Sequence, residues 1–370
     1  MLRPTAHPRR AGPPRLAGPR SRRPCRPAQA AVESPPAAER EEKKTEEGGS
    51  APPPHTPCSS LRAPPGPGSP LLYPALDPLP PSTRPLAIAE VVPAALWTFT
   101  VPFFASPISA LSAENRMTVA ALPGHAAGGG GGGGPPSGLA IFNPLTPTQD
   151  LLDGLAALNL PVTTIIIPST SPEHWVGAAG MARAFPGAHI LAPPGFFSAG
   201  PGGGRIGGKL AALAPASAVL DEAAAAGRAS EMAAAGEGGG GAGPVRLFGG
   251  QVEAAVFQGK GGFCEAAFFL TRTRTVLTAD LCFGLVASDL DATPGANWLD
   301  RVLARVAGIY GRLGCATWPV LRASPAAAAA FVGVVDGWRA TGVDRVVPAH
   351  LSAPWGGDAL EGAFGFVKRG

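Results

Sequence analysis

A chain of 370 residues with 45% apolar content is long enough to bury a large core, but 51 glycines and 44 prolines, strongly clustered, remove much of that length from any packed domain. The formal charge of +4 is small and its arginine excess sits in the first 32 residues, which argues against a basic nucleic-acid-binding face on the folded part. Cys25, Cys58, Cys264, Cys282 and Cys315 form no Cys-x-x-Cys pair, so neither a disulfide framework nor a structural zinc knuckle is expected.

Residues 1–32 hold eight arginines and no acidic residue. That composition fits an organellar targeting segment, with a chloroplast transit peptide the first choice and a mitochondrial one the second; a basic tail without a targeting role is the alternative. Residues 33–85 pass from a charged run, Glu39 to Glu47, into proline-rich sequence that cannot bury a core. We therefore expect a targeting and linker region over 1–85 and a folded domain over 86–370.

Val91–Ala113 carries no charge, which raises the question of a membrane span. Pro93, Pro102 and Pro107 would break such a helix and leave backbone groups unsatisfied in lipid, so strands are expected instead, Leu96–Val101 among them. Met117–Leu122 and Leu139–Phe142 also have strand character. The glycine run between them lacks the fixed geometry of a phosphate loop and reads as a flexible insertion near 126–136. Thr146–Leu158 reads as a short amphipathic helix with Thr148 as its cap.

Thr163–Ile167 consists of five β-branched residues, the pattern of a strand covered on both faces. Ser171 and Pro172 suit the cap and first position of a helix predicted over Pro172–Ala184, which places Glu173 and His174 where a strand gives way to a helix. A strand at His189–Ala192 completes a strand–helix–strand unit. A second low-complexity insertion is expected near 199–243, with Lys209–Met232 helical in part. Val245–Phe248, Val252–Phe257, Glu265–Thr271 and Thr275–Asp280 read as an antiparallel meander. Two helices with apolar faces follow, Trp298–Leu313 and Pro325–Thr341, then a strand at Arg345–His350 and a short C-terminal helix.

Three residues stand where chemistry is commonly placed. His174 and His350 fall at or just beyond the carboxyl ends of apolar strands, and Asp280 closes Thr275-Val276-Leu277-Thr278-Ala279. Cys282 is close enough in sequence to add a ligand, though a buried thiol is the plainer role. The tryptophans at 175, 298, 318, 338 and 355 are expected in the core or in a site wall, too scattered for base stacking.

Ser171-Pro172-Glu173-His174-Trp175, Ala184-Phe185-Pro186-Gly187-Ala188, Ala192-Pro193-Pro194-Gly195 and Val347-Pro348-Ala349-His350, with the Leu-Thr-Ala-Asp that ends at Asp280, resemble in order and spacing the domain-of-unknown-function 4336 family of the metallo-β-lactamase superfamily. The resemblance implies an αββα sandwich, two mixed sheets with helices on the outer faces. It also implies a metal centre, and here the chain departs from the superfamily's His-x-His-x-Asp-His. Ser169 and Ser171 occupy the first two histidine positions, Glu173 stands for the aspartate, and Gln258-Gly259-Lys260-Gly261-Gly262 supplies no histidine. The first metal site has lost its histidines, whereas Glu173, His174, Asp280 and His350 would make up the second. Two carboxylates and two imidazoles suit one zinc, iron or manganese ion; a metal-free relic is the alternative. Carboxylates about 4 Å apart repel by roughly 4 kcal/mol at an effective dielectric of 20, so either a cation offsets them or one carboxylate takes a proton. A metal, protonated His174 and His350, or the Lys260 ammonium could each supply the cation. The functional expectation is a single-metal hydrolase acting on a small molecule; the alternative is a non-catalytic scaffold or ligand-binding protein on the same fold.

Overall fold

A computed structural model describes residues 86–105, 112–122, 136–197, 229–232, 243–259, 263–292, 296–314 and 324–364. All of them lie within one unit, Thr56–Gly370. The insertions expected near 126–136 and 199–243 lie outside the described residues, apart from 136, 229–232 and 243, and so does Lys260.

Among the described residues the first sheet has seven strands in simple chain order: β1 (Ala87–Val92), β2 (Leu96–Ala105), β3 (Ser112–Leu122), β4 (Gly138–Phe142), β5 (Val162–Ile166), β6 (His189–Ala192) and β7 (Ala229–Glu231). β1 to β4 pair antiparallel; β4 to β7 pair parallel. The second sheet runs β15 (Trp355–Gly356), β14 (Arg345–Pro348), β11 (Thr275–Thr278), β10 (Cys264–Leu270), β9 (Val252–Gln258), β8 (Val245–Leu247), with β11 and β14 parallel and the other pairs antiparallel. β12 (Phe283–Gly284) and β13 (Leu313–Gly314) form a separate two-stranded ribbon.

Strand alternation sorts the core into layers. Leu139 and Ile141 of β4 pack outward with Leu151 and Leu155 of α1 (Gln149–Ala156) and Met181 of α2 (Ala178–Ala184). Ala140 and Phe142 point the other way and meet Ala266, Phe268, Leu277 and Val347 of the second sheet. Ala267 and Phe269 of β10 face Phe331, Val335 and Trp338 of α5 (Pro325–Thr341). The order is helix, sheet, sheet, helix: the αββα sandwich of two mixed sheets that the sequence implied. No helix among the described residues is long and apolar enough to cross a membrane.

Several sequence expectations change. Pro172–Ala184 is not one helix but a 3-10 turn, Pro172–His174, followed by α2 from Ala178. Trp175 leaves helical geometry to bury its ring against Phe196, and Gly177 presses on the next loop, where a Cβ would lie 2.2 Å from the Leu145 carbonyl carbon. Residues 229–231, assigned to a helical stretch, form the edge strand β7. α3 (Ala287–Ala292) was not foreseen. Trp298–Leu313 is helical only as α4 (Trp298–Val306), and Leu313 belongs to β13. α4 also faces the unexpected way. Asn297 and Asp300 cap it reciprocally, and Asp300 and Ala304 turn inward, which leaves Trp298, Val302, Leu303 and Val306 exposed. Trp298 is therefore neither core nor site wall.

Candidate metal centre

The two sheets meet beyond the ends of β5, β11 and β14. β11 stops at Thr278 while its neighbour β10 extends back to Cys264, so β10 has an open edge there. The segment after β5 takes that edge. The Pro168 carbonyl accepts from Ala266 N–H, Ser169 bridges Glu265, and Thr170 N–H donates to the Cys264 carbonyl. A loop that began in one sheet is thus pinned to the other, and the Pro172–His174 turn follows at once. On the parallel strands β11 and β14 the chain emerges on the same side, tied by Ala349 N–H to the Thr278 carbonyl at 2.8 Å. That register carries Asp280 and His350 to the same place.

Glu173, His174, Asp280 and His350 each offer one donor atom, and the four atoms lie within 4.8 Å of one another. Asp280 Oδ1 is 3.1 Å from His174 Nε2 and 3.3 Å from His350 Nε2. His174 is fully buried, Asp280 and His350 nearly so, and Glu173 is partly exposed. His174 Nε2 has no hydrogen-bond partner despite its distance from Asp280. On the opposite side of each ring the contacts are close: His350 Nδ1 donates to the Glu114 carbonyl at 2.7 Å, and His174 Nδ1 lies 2.8 Å from Asn143 Oδ1.

Charges in the cluster are strongly perturbed. Burial works against the Asp280 carboxylate, but the two imidazoles outweigh it and hold the carboxyl well below the usual range. Burial also pulls His350 down, and the hydrogen bond and charge of Asp280 reverse that, leaving it above its ordinary value.

Ser169 and Ser171 do not join the four. Ser169 is fully buried and its hydroxyl bonds Glu265, while also accepting from Ser171 N–H at 3.2 Å. Glu265 was missed by the sequence reading. Its carboxylate accepts from the N–H groups of Ala279 (3.2 Å), Asp280 (3.0 Å) and Leu281 (2.8 Å), clasping the turn that presents Asp280. Complete burial and the nearby Asp280 charge push Glu265 upward, and the Leu281 and Asp280 N–H donors and Ser169 only partly oppose them. Arg116 was missed too. Its guanidinium donates to the Pro348 and Leu351 carbonyls, both at 2.7 Å, and so grips the loop that carries His350. An acid in Cys264-Glu265-Ala266-Ala267-Phe268 and an arginine in β3 were the available signals, since charged residues inside apolar strands need partners. Cys282 packs with Leu281 and Phe331 in the outer core and does not approach the cluster.

Residues 97–200 match the family described as Domain of unknown function (DUF4336). The chain carries a DUF4336 domain. That segment supplies Arg116, Asn143, Glu173 and His174, whereas Glu265, Asp280 and His350 lie beyond the matched residues. No curated protein matches the chain. Similar solved structures include a metallo-β-lactamase from Pontibacter korlensis, at 12% identity and a TM-score of 0.42, covering 77% of this chain and 100% of that one. Another is a metallo-β-lactamase from Hirschia baltica, at 10% identity and a TM-score of 0.42, covering 76% and 98%. A metal-soaked flavodiiron core from Synechocystis sp. is similar at 12% identity and a TM-score of 0.44, covering 77% of this chain and 61% of its own.

Proposed function

We propose that the DUF4336-containing chain is a single-metal hydrolase whose ion is held by Glu173, His174, Asp280 and His350. The observation that carries this reading is the set of contacts around Asp280 Oδ1. Two buried imidazole nitrogens face one carboxylate oxygen at 3.1 and 3.3 Å. Those separations match the edge of a tetrahedron built on metal–ligand bonds of about 2.0–2.1 Å, roughly 3.3 Å. Nδ1 of each ring faces an acceptor, the Glu114 carbonyl or Asn143 Oδ1, so each neutral ring turns an Nε2 lone pair toward a carboxylate that also only accepts, and a cation is needed between them. Two imidazolium rings could supply it, but with centroids 5.0 Å apart they would repel by about 3 kcal/mol at an effective dielectric near 20. A single divalent ion satisfies all three atoms without that cost.

The donor set, two imidazoles and two carboxylates, suits zinc, iron or manganese. A bound ion of this kind supplies Lewis acidity, polarising a carbonyl and lowering the pKa of water toward 7. The chain's own residues then have separable roles. His174 and Asp280 are anchors closed off from solvent, Glu265 fixes the turn behind Asp280, and Arg116 fixes the loop behind His350. Glu173 is the partly exposed member and the one placed to meet an incoming small molecule.

Metal analysis of purified protein beside His174→Ala and His350→Ala tests the reading. Near-stoichiometric metal in the wild type, lost in both variants, supports it; no metal in any of the three would sink it. The non-catalytic alternative draws support from the near-complete burial of His174, Asp280 and His350, which leaves little room for a bulky substrate. Hydrolysis of small ester, thioester and lactam probes by metal-replete protein separates the two. We further propose that the arginine-rich, acid-free residues 1–32 direct the protein to a plastid. A fluorescent fusion to residues 1–85 that stays in the cytosol would contradict that.

A further inference from the structure

The ring of His174 can bind a cation through Nε2 only if its proton sits on Nδ1, and free histidine favours the opposite tautomer. We infer that Asn143 is the positioning residue that makes this choice.

Asn143 follows β4 directly, in left-handed backbone conformation (φ 58°) and almost fully buried. Asparagine is among the few residues that adopt this region readily. The conformation aims its side chain across the sheet end toward His174. Asn143 Nδ2 donates twice, to the Arg116 carbonyl and to Asn115 Oδ1, both at 2.7 Å. Asn115 Nδ2 donates in turn to the Glu173 carbonyl at 2.8 Å.

Both ends of this relay are backbone carbonyls, which only accept. Neither amide can therefore be flipped. Turning Asn143 over would set its oxygen against the Arg116 carbonyl and against Asn115 Oδ1. Turning Asn115 over would set its oxygen against the Glu173 carbonyl. Asn143 Oδ1 must face His174 Nδ1, 2.8 Å away, and an amide oxygen there requires a donor. The proton is held on Nδ1, and the Nε2 lone pair is left pointing at Asp280 and the point where the four donor atoms converge. The same relay grips the Glu173 carbonyl, so adjacent members of the cluster are oriented through one buried asparagine.

The consequence for metal affinity rests on the single-metal reading; the tautomer itself does not. Long-range proton–nitrogen correlation spectra of ¹⁵N-histidine-labelled protein report it directly, in metal-free protein at a pH where the ring is neutral. The wild type should show His174 protonated on Nδ1. Asn143→Ala should move it toward the Nε2–H form and weaken zinc binding, measured by chelator competition, by about 10- to 100-fold. Asn143→Asp keeps an acceptor at Oδ1 while giving up both Nδ2–H bonds, so it should retain the Nδ1–H tautomer. A purely structural asparagine would not produce that rescue. An Nε2–H ring in the wild type, or an unchanged tautomer in Asn143→Ala, would overturn the inference, and the wild-type spectrum alone decides should the alanine variant not fold. Absence of zinc binding together with the expected tautomers would sink the single-metal reading and support the role of Asn143.

Discussion

Arg116 shows how much a single buried side chain can hold in place. Burial lowers its pKa and Glu114 raises it, with burial the larger effect, yet it persists because its donors meet two main-chain carbonyls, Thr100 Oγ1 and Glu114. Truncating it to alanine leaves the Pro348 and Leu351 carbonyls without that donor near the sheet ends. We expect Arg116→Ala to lower stability by about 2–4 kcal/mol in urea unfolding, with weaker metal retention because His350 loses its support. Cys264 makes a separate prediction. Burial first, then the charges of Glu265 and Glu231, push its thiol up to about 12. The neutral thiol is the form the fold favours, so its contribution is complete below the unfolded value near 9 and is lost as pH rises from there toward 12. Native protein at pH 8 should resist alkylation at Cys264, and the thiol should react once urea unfolds the chain. Rapid native labelling would contradict the burial that raises its pKa.

The helices α4 and α5 were read alike in the sequence, as amphipathic segments with an apolar face for the core. Only α5 uses its face that way. Trp338 is stacked on Phe269, with ring centroids 5.7 Å apart, and its indole donates to Glu253 at 2.8 Å. Trp298 is 71% exposed on the outer side of α4. Urea denaturation should separate them clearly: Trp338→Ala should cost about 3–5 kcal/mol, and Trp298→Ala no more than about 0.5 kcal/mol. Periodicity could not tell them apart because it reports that a stripe exists, not which side is covered. The same limit applies to Pro172–Ala184. Cap and proline signals placed a helix start correctly at Ser171 and Pro172, but the break after His174 depends on Trp175 meeting Phe196 and Gly177 meeting Leu145, contacts with other segments.

At the scale of the molecule, the candidate site lies where two sheets are sewn together, and its parts come from β3, from the end of β4, and from beyond β5, β11 and β14. A cation bound there would couple those elements. Zinc should raise the melting temperature of the metal-free protein, with a stabilisation near 2.7 kcal/mol at a hundredfold excess over Kd, and a chelator should reverse it. No shift in the wild type, or an equal shift in His174→Ala, would count against the assignment. The strands were legible from residue order because alternation and β-branched runs are local properties: β6 and α5 fall on their expected bounds, and β4, β5 and β9 within a residue or so. Glu173, His174, Asp280 and His350 could be nominated in advance because each stands at an element end in a motif-bearing order. Arg116 and Pro348, 232 positions apart, could not be paired that way, nor could Glu265 be assigned to the turn at 279–281. Those partnerships depend on which segment fills the open edge of β10 and which carbonyls are left over when two sheets close. Local sequence specifies an element's own hydrogen bonds and its apolar stripe; the donors and acceptors that remain unpaired find partners only when distant segments meet.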